Sequence, residues 1–390
     1  MRAFQPPITL KAAIAAFAVM VLFALSLTAA SQTAFAQQGA EQNALQSNPT
    51  GGEVPGQSLG ASSDADMWRA VRGGVQGTVS IPDEQAGVLV QSGGDIWRAI
   101  RNGPISNYSA YAIFAIIALL ALFFLMRGRM RVSKGMSGRT ITRFRYYERM
   151  GHWTVAISFI LLSLTGLNIL FGRYVILPVV GPEIFAQVTL AGKFIHNYVA
   201  FAFAVGLVWI FIHWVPHNIP TLTDVKWALK GGGIIVPSVH PDAYKFNAGQ
   251  KVIFWLTILG GVSVVMSGWA LLFPFTTSMF AKTFAFVNAV IGTSLPETLT
   301  PMQEQQFAQA WHTIMSVFLI CVILAHINIG SLGMEGAFAA MGSGKVDINW
   351  AREHHNLWVE EEERKAAAGR SSAFDKGSAA PPGAAQVPAE

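Results

Sequence analysis

The sequence WHTIMSVFLICVILAH, residues 311–326, places a histidine near each end of an apolar run. With its apolar neighbours it forms a stretch at about 307–330, long enough to cross roughly 30 Å of membrane hydrocarbon as a helix. At about 100° per residue, His312 and His326 lie within roughly 40° of each other around that helix and about 21 Å apart along it. One helix therefore offers two imidazoles on one face, at two depths of the membrane.

Four more segments have the length and apolarity of spanning helices. They are residues 108–126, about 152–171, about 194–215 and about 252–275. Hydrophobic residues make up 52% of the 390-residue chain and charged residues only 13%, against roughly 25% charge in soluble domains. The sequence therefore predicts an all-α membrane protein, with a four-helix bundle over residues 150–330 and an additional N-terminal transmembrane helix at 108–126.

The N-terminus has the features of a secretory signal peptide. Basic residues precede the apolar stretch 12–30, and Ala34-Phe35-Ala36 provides an A-x-A cleavage site. We expect residues 1–36 to be cleaved, although the length of the apolar stretch also fits an uncleaved anchor. In either case the following segment, residues 37–107, is exported.

The exported segment contains an internal near-repeat. Residues 66–74, DMWRAVRGG, are echoed by residues 95–103, DIWRAIRNG. Each half predicts a short helix with Trp and an aliphatic residue on one side and two Arg on the other. Two interpretations stay open for this periplasmic arm with its Trp-Arg repeat: surface-lying amphipathic helices, or a docking arm for a partner subunit.

The basic residues indicate the orientation of the chain. With residues 37–107 outside, the alternating connections place 18 Lys and Arg on the cytoplasmic side and 7 on the other, beyond the signal. The positive-inside rule agrees with this topology. The basic cytoplasmic linker 127–149 contributes most, and the cytoplasmic tail 331–390 ends in an Ala/Pro/Gly-rich stretch predicted to be disordered. We expect a multi-pass protein of the bacterial cytoplasmic (inner) membrane, with a periplasmic N-terminus and a cytoplasmic C-terminus.

Four histidines lie near the ends of the last four spans, where ionisable side chains are costly and usually functional. His196 begins its span on the outside, at the depth of His312, and His152 begins its span on the inside, at the depth of His326. Depth thus pairs His196 with His312 and His152 with His326. Two imidazoles from two helices supply the axial ligands of a six-coordinate b-type haem. The alternatives are hydrogen-bonded packing histidines, or zinc, which usually requires four ligands.

Five further histidines have weaker claims to a function. His213 points about 100° away from His196 around its helix, so we expect it, like His217, near lipid headgroups, with a proton route to a quinone as the alternative. His240, His354 and His355 lie in cytoplasmic segments, where solvated or subunit-contact histidines are expected.

The glycines of the spans allow two interpretations. Glycine permits close approach of membrane helices, or leaves room for a flat macrocycle. The pair Gly260-Gly261 can also simply kink its helix.

The composition excludes several kinds of chemistry. A single cysteine, Cys321, cannot hold an iron–sulfur cluster, a Cys-rich zinc site or an intrachain disulfide. The net charge of +5 is too thinly spread for a nucleic-acid-binding face, so no nucleic-acid partner is expected. The spanning helices are expected to contact membrane lipid.

Several short segments between residues 140 and 365 form a recognisable set. They are YERMGHWT (147–154), KFIH (193–196), HNIP (217–220), YKFNAGQK (244–251), Trp311-His312 with His326, GSGKVD (342–347) and WAREHH (350–355). Together they resemble the gamma subunit, the cytochrome b, of membrane-bound formate dehydrogenase. The resemblance extends over more than half of the chain, whereas the first 140 residues depart from the shorter members of that family.

The resemblance implies a dihaem cytochrome b with the pairing that depth predicts, two haems b in all. It also implies a quinone region beside His326, formed by Asn247, Ala248 and Gly249. In such a complex a molybdenum or tungsten catalytic subunit oxidises formate outside the membrane, and an iron–sulfur subunit passes the electrons on. The chain would then be the electron-transfer and quinone-reducing subunit, with formate oxidation on a partner.

Other functions stay open at this point. The cytochrome b of a hydrogenase, of a thiosulfate reductase or of the cytochrome b561 type shares the same histidine arrangement. A proton-coupled transporter with unmetallated histidines and a purely structural anchor for a periplasmic enzyme are alternatives of a different class.

Overall fold

The structure is a computed structural model that describes residues 94–233, 239–274, 276–369 and 373. Three predictions fall outside these residues: the signal peptide at 1–36, the first half of the Trp-Arg repeat at 66–74, and disorder at the end of the tail.

Long apolar helices dominate the described part of the chain. In chain order its helices are α1 (Gly94–Arg127), α2 (Tyr146–Val175), α3 (Leu177–Trp214), α4 (Leu222–Leu229), α5 (Ala248–Leu272), α6 (Phe280–Ile291), α7 (Pro301–Asn328), α8 (Ala339–Gly342), α9 (Ile348–His354) and α10 (Asn356–Ala367). Five of them, α1, α2, α3, α5 and α7, are long and apolar enough to cross a membrane. The predicted all-α class and five spans are confirmed.

Helix α1 begins well before the predicted span 108–126. It starts at Gly94 and includes the second half of the Trp-Arg repeat, whose predicted short helix is present at Gly94–Ile100 and continues into the span. The segment Arg101–Ile105 is a π-helical turn with Pro104 inside it. A π turn accommodates the missing N–H of proline without ending the helix. This is why a sequence that suggests a helix end runs on into the membrane span.

The connection predicted at 172–193 is almost wholly helical. Helix α2 continues to Val175 and α3 begins at Leu177. The helical path of α3 is interrupted at Gly181, whose φ of 79° suits glycine, and Pro182 follows directly. Proline is favoured in the first turn of a helix because its φ is preset and its missing N–H is not needed there. The predicted loop is therefore a bend between two helical segments.

The described residues fall into two compact units. The first unit contains residues 113–262 and 318–369, and the second contains residues 94–112 and 263–317. Each is described separately below.

Glycines bring the helices of the first unit close together. A Cβ at Gly206 on α3 would lie 2.8 Å from Val155 on α2, and one at Gly261 on α5 would lie 2.8 Å from Leu207 on α3. A Cβ at Gly260 on α5 would likewise lie 2.8 Å from the side chain of Leu319 on α7. Helix α5 continues unbroken through Gly260 and Gly261, so this pair serves helix contact rather than a kink.

The linker and the tail of the first unit form one folded layer. Strand β1 (Thr140–Thr142) pairs antiparallel with β2 (Lys345–Asp347), with Ile141 opposite Val346. Both of these side chains and Trp350 on α9 are almost completely buried. We call residues 130–145 and 334–367 the linker–tail layer. The sequence predicted a basic linker and a polar tail but not their pairing, because two three-residue strands separated by four spanning helices leave no local pattern.

The second unit has a small aromatic core that the sequence analysis missed. Helix α6 lies in the predicted connection 274–306 and buries Phe280 and Phe284 against Ala270 and Ala308. The buried carboxylate of Glu304 accepts hydrogen bonds of 2.8 Å from the backbone N–H groups of Phe280 and Ala281. The carboxylate thus provides hydrogen-bond acceptors for backbone N–H groups at the N-terminus of α6, which have no partner within the helix.

Candidate cofactor site

Two of the predicted ligands face each other in the first unit. The ring centres of His152 on α2 and His326 on α7 lie 6.3 Å apart. A metal–imidazole nitrogen bond is about 2 Å, and a ring centre lies about 1 Å beyond that nitrogen, so one metal between two imidazoles separates their centres by about 6 Å. The spacing therefore fits the two axial positions of one iron. Among the described residues, the buried Nδ1 of His152 has no hydrogen-bond partner.

A cavity of about 590 Å³ surrounds this pair. Its walls are mainly apolar and include Phe159 and Phe254 besides the two histidines. The predicted quinone region reaches the same cavity through Asn247 and Gly249, whereas Ala248 is buried at the start of α5 and is not part of the lining. A large apolar cavity with a few polar groups is the usual form of a cofactor or small-molecule site. The structure thus brings four of the predicted site residues together.

Asn247 also has a structural task. Its Oδ1 accepts a hydrogen bond of 2.9 Å from the backbone N–H of Gln250, and its own backbone N–H donates to Gln250 Oε1 at 3.1 Å. This reciprocal pair caps the N-terminus of α5. A substitution that removes the side-chain acceptor of Asn247 therefore changes both the cavity wall and the helix cap.

His196 on α3 is held by a hydroxyl and faces a glycine of α2. Thr165 Oγ1 lies 2.8 Å from His196 Nδ1, and the same hydroxyl lies 2.8 Å from the carbonyl oxygen of Leu161 in its own helix. When the hydroxyl donates to that carbonyl, its oxygen can accept from Nδ1–H of the imidazole. In this tautomer the lone pair lies on Nε2, the neutral form that binds metals. A Cβ at Gly166 would lie 3.5 Å from His196 Cε1.

His312 on α7, in the second unit, has the same surroundings. Ser267 Oγ on α5 lies 3.0 Å from His312 Nδ1 and donates to the carbonyl oxygen of Ser263 at 3.0 Å. The hydroxyl again accepts from Nδ1–H and leaves the lone pair on Nε2. A Cβ at Gly268 would lie 3.2 Å from His312 Cε1.

The two outer histidines thus share one local pattern. Thr165-Gly166 and Ser267-Gly268 each place a hydroxyl on Nδ1 and a bare backbone beside the ring. A histidine that binds metal commonly donates its other ring N–H in this way, which fixes the ring and its tautomer. The sequence analysis missed these hydroxyls, although a Ser/Thr-Gly pair inside each of two spans was a visible signal.

Buried charges fix the loops around the cavity of the first unit. Glu148 accepts from Trp214 Nε1 at 3.1 Å and from Lys245 Nζ at 2.7 Å. The guanidinium of Arg143 donates to the carbonyl oxygen of Lys245 at 2.7 Å and to Gln250 Oε1 at 3.1 Å. Burial lowers the pKa of Arg143 to about 9, against the opposing effect of the Glu148 carboxylate. This network ties the linker to the segment that begins α5.

His213 lies apart from the cavity. Its Nδ1 is 2.8 Å from the carbonyl oxygen of Trp209, and its ring stacks on that indole with the ring centres 5.0 Å apart. Tyr147 contacts the other side at the same spacing of ring centres. This histidine packs between aromatic rings rather than pairing with another histidine.

Two histidines of the tail, His354 and His355, are more buried than the sequence predicted. His240, His354 and His355 all line the cavity that holds His152 and His326. The side chain of His355 is almost completely buried, with Nδ1 2.7 Å from the carbonyl oxygen of Tyr244. The expectation of solvated or subunit-contact positions was wrong for His354 and His355, because folding of the linker–tail layer over the cavity buries the end of α9, whereas His240 is exposed as expected.

Comparisons with known proteins place the chain in a family. Residues 143–344, just over half of the chain, match the family model of the prokaryotic cytochrome b561 proteins. The chain belongs to the prokaryotic cytochrome b561 family. All four histidines of the two proposed pairs lie within the matched region.

Relatives within this cytochrome b family carry the more specific name. The cytochrome b556 subunit of a formate dehydrogenase of Escherichia coli K12 is 30% identical over 223 residues, which are 57% of this chain and 93% of that protein. The corresponding subunit of the nitrate-inducible formate dehydrogenase of Escherichia coli K12 is 28% identical over 228 residues, 58% of this chain and 93% of that protein. A formate dehydrogenase cytochrome b556 subunit of Haemophilus influenzae is 25% identical over 224 residues, 57% of this chain and 83% of that protein. The predicted resemblance to the cytochrome b subunit of formate dehydrogenase is confirmed.

Proposed function

We propose that this chain is the membrane cytochrome b subunit of a formate dehydrogenase. A molybdenum or tungsten catalytic subunit oxidises formate and passes the electrons to an iron–sulfur subunit. This chain takes the electrons from that subunit and delivers them through two haems b to quinone. Haem b held by two histidines supplies one-electron transfer and has no open iron position for oxygen chemistry. Formate oxidation itself takes place on the partner.

The observation that carries this proposal is the facing pair in the first unit. His152 and His326 are separated by 6.3 Å, in a cavity that also exposes Asn247 and Gly249. Nδ1 of His152 is buried and has no hydrogen-bond partner among the described residues, so no protein group competes for it. A pair of imidazoles left with an iron-sized gap favours a metal between them.

The second haem is proposed on different grounds. His196 and His312 have equal predicted depth, and the hydroxyl beside each imidazole leaves Nε2 as its ligand atom. The full assignment is therefore His196 and His312 for the outer haem iron and His152 and His326 for the inner one. Asn247, Ala248 and Gly249 mark the quinone region, in which Asn247 and Gly249 would contact the quinone and Ala248 would support them.

The proposed organisation follows the sequence topology. Residues 1–36 are a cleaved signal peptide, 37–107 a periplasmic arm that ends in the first turns of α1, and 150–330 the dihaem four-helix bundle. The linker and tail lie on the cytoplasmic side of the inner membrane. Electrons that cross from the periplasmic side to the cytoplasmic side move charge through the membrane, about 2.3 kcal/mol per charge per 100 mV.

Formate-driven spectroscopy on membranes tests this proposal. Formate should reduce a b-type haem, and a short-chain quinone such as menadione should reoxidise it. Membranes in which the chain is present but no b-type haem signal appears would contradict the proposal and favour a transporter or a structural anchor.

Copurification identifies the donor enzyme. We expect the chain to be isolated with an iron–sulfur subunit and a formate-oxidising subunit. Isolation with a hydrogenase instead would retain the electron-transfer function and overturn its assignment to formate dehydrogenase.

A further inference from the structure

Three titratable side chains form a row along the cavity wall: His240, Glu353 and His354. His240 is about one-third exposed, the Glu353 side chain is 9% exposed, and that of His354 is 20% exposed. All three line the cavity that contains His326 and Asn247. The row therefore joins a solvent-exposed position to the cavity that the proposed quinone region also lines.

Glu353 is the centre of this row. Its Oε1 lies 3.7 Å from His240 Nδ1 and 3.9 Å from His354 Nε2. Both separations are of the size that one water molecule or a small side-chain rotation closes. The other carboxylate oxygen accepts a hydrogen bond of 2.8 Å from the backbone N–H of Ser133, whose hydroxyl lies 3.3 Å from His240 Nε2. The carboxylate is thus held in place between two imidazoles.

Burial around the row favours a neutral imidazole at His354. Arg127, Arg131 and Arg143 line the same cavity. Burial lowers the pKa of His354 to about 4, against the opposing effect of Glu353 and with His240 and Arg143 adding to the decrease. A neutral imidazole can accept a proton at one nitrogen and release one from the other.

His355 is not part of the row. It lines the cavity, but its Nδ1 is committed to the carbonyl oxygen of Tyr244, and its side chain is almost completely buried. It serves to hold α9 against the segment before α5.

We propose that His240, Glu353 and His354 carry protons from the cytoplasmic solution into the cavity, where quinone is reduced beside His326. The proposal rests on the proposed function. Reduction of one quinone to quinol consumes two electrons, which come from formate oxidation on the partner, and two protons, which this row delivers. Each proton passes from His240 to the Glu353 carboxylate, then to His354, and from His354 to an oxygen of the reduced quinone, so every group returns to its starting state.

The experiment uses the complete enzyme with Glu353→Gln in this chain. Glutamine keeps an acceptor for the Ser133 N–H but cannot bind and release a proton. Stopped-flow spectroscopy should show haem reduction by formate at the wild-type rate and reoxidation by menadione slowed about tenfold or more near pH 7. The solvent deuterium effect on reoxidation should increase, and Glu353→Asp should restore part of the rate.

Two further variants separate the possible outcomes. Glu363→Gln, in the same layer but paired with Arg352 outside the cavity, should reoxidise at the wild-type rate. His240→Gln, at an exposed position that is expected to fold, should slow reoxidation as Glu353→Gln does. Reoxidation at the wild-type rate in Glu353→Gln and His240→Gln would overturn the row while the proposed function stands. Failure of the wild-type enzyme to reduce menadione with formate would overturn both.

Discussion

The inner and the outer histidines differ in their surroundings, and the surroundings indicate which function suits each. His196 and His312 are each held by a hydroxyl and a glycine of the neighbouring helix. His152 and His326 face each other across 6.3 Å in a cavity that continues into the linker–tail layer. The outer imidazoles are fixed in orientation, which suits electron transfer alone. The inner pair has space beside it for a second molecule, which suits chemistry on a substrate.

Loss of a single histidine ligand should have the largest of the predicted effects, because it removes a haem. His196→Ala or His312→Ala should each abolish the outer haem and leave the inner one, because one imidazole cannot supply both axial positions. The haem b content per protein, measured as the pyridine complex, should fall by about half. His213→Ala is the matched control, since that histidine packs between Trp209 and Tyr147, and it should retain the full content.

Low pH should destabilise the linker–tail layer, which lies next to His152 and His326. His354 has a pKa of about 4 in the folded chain because of burial, and an ordinary value of 6.5 when unfolded. Its stabilising contribution is fully present above pH 6.5 and is lost as the pH falls toward 4, in all about 3 kcal/mol, because only the unfolded state then binds the proton. Hydrogen exchange of residues 345–359 should accelerate over this range. If His354→Gln kept the same pH dependence, His354 would not be its source.

Removal of the hydroxyls should change the outer site only. Thr165→Val or Ser267→Ala takes away the acceptor of Nδ1–H, which should weaken retention of the outer haem roughly 10–100-fold and raise its midpoint potential. The potential rises because a less basic imidazole stabilises ferric iron less. Potentiometric titration monitored by absorbance measures both haems in one sample.

Ser158→Ala is the control for the hydroxyl variants. The Ser158 hydroxyl bonds to carbonyl groups of its own helix, at Thr154 and Val155. An equal change of potential in Ser158→Ala would mean that the effect comes from helix packing and not from the histidine contact.

Substitution of Asn247 should have the smallest of the predicted effects. Asn247→Ala should remove both the cap of α5, at about 1 kcal/mol, and the polar contact to quinone. Asn247→Asp keeps an acceptor for the Gln250 N–H and changes only the cavity side. We expect slower quinol formation in both variants, with lower thermal stability in the alanine variant alone. Unchanged turnover in the aspartate variant would argue against an Asn247–quinone contact.

The sequence predicted those features that depend on local periodicity. Five spans follow from runs of apolar residues, and the common face of His312 and His326 follows from the helical repeat. The facing of His152 and His326 was predicted by depth and is present in the structure.

The features that the sequence missed depend on distant residues. The contact of Thr165 with His196 requires the register between two helices, and the pairing of β1 with β2 joins segments on either side of four spans. The position of His354 in the cavity follows from that pairing, so no local signal could have indicated it. The early beginning of helix α1 was missed for a different reason, since the π turn at Arg101–Ile105 keeps Pro104 inside a helix.

The haem count of His326→Ala is the decisive measurement for the two histidine pairs. We expect two haems b per wild-type chain and one in the variant, with the remaining haem still reduced by formate but no longer reoxidised by menadione. Two haems in the variant, or a single haem in the wild-type chain, would contradict the assignment of two histidine pairs.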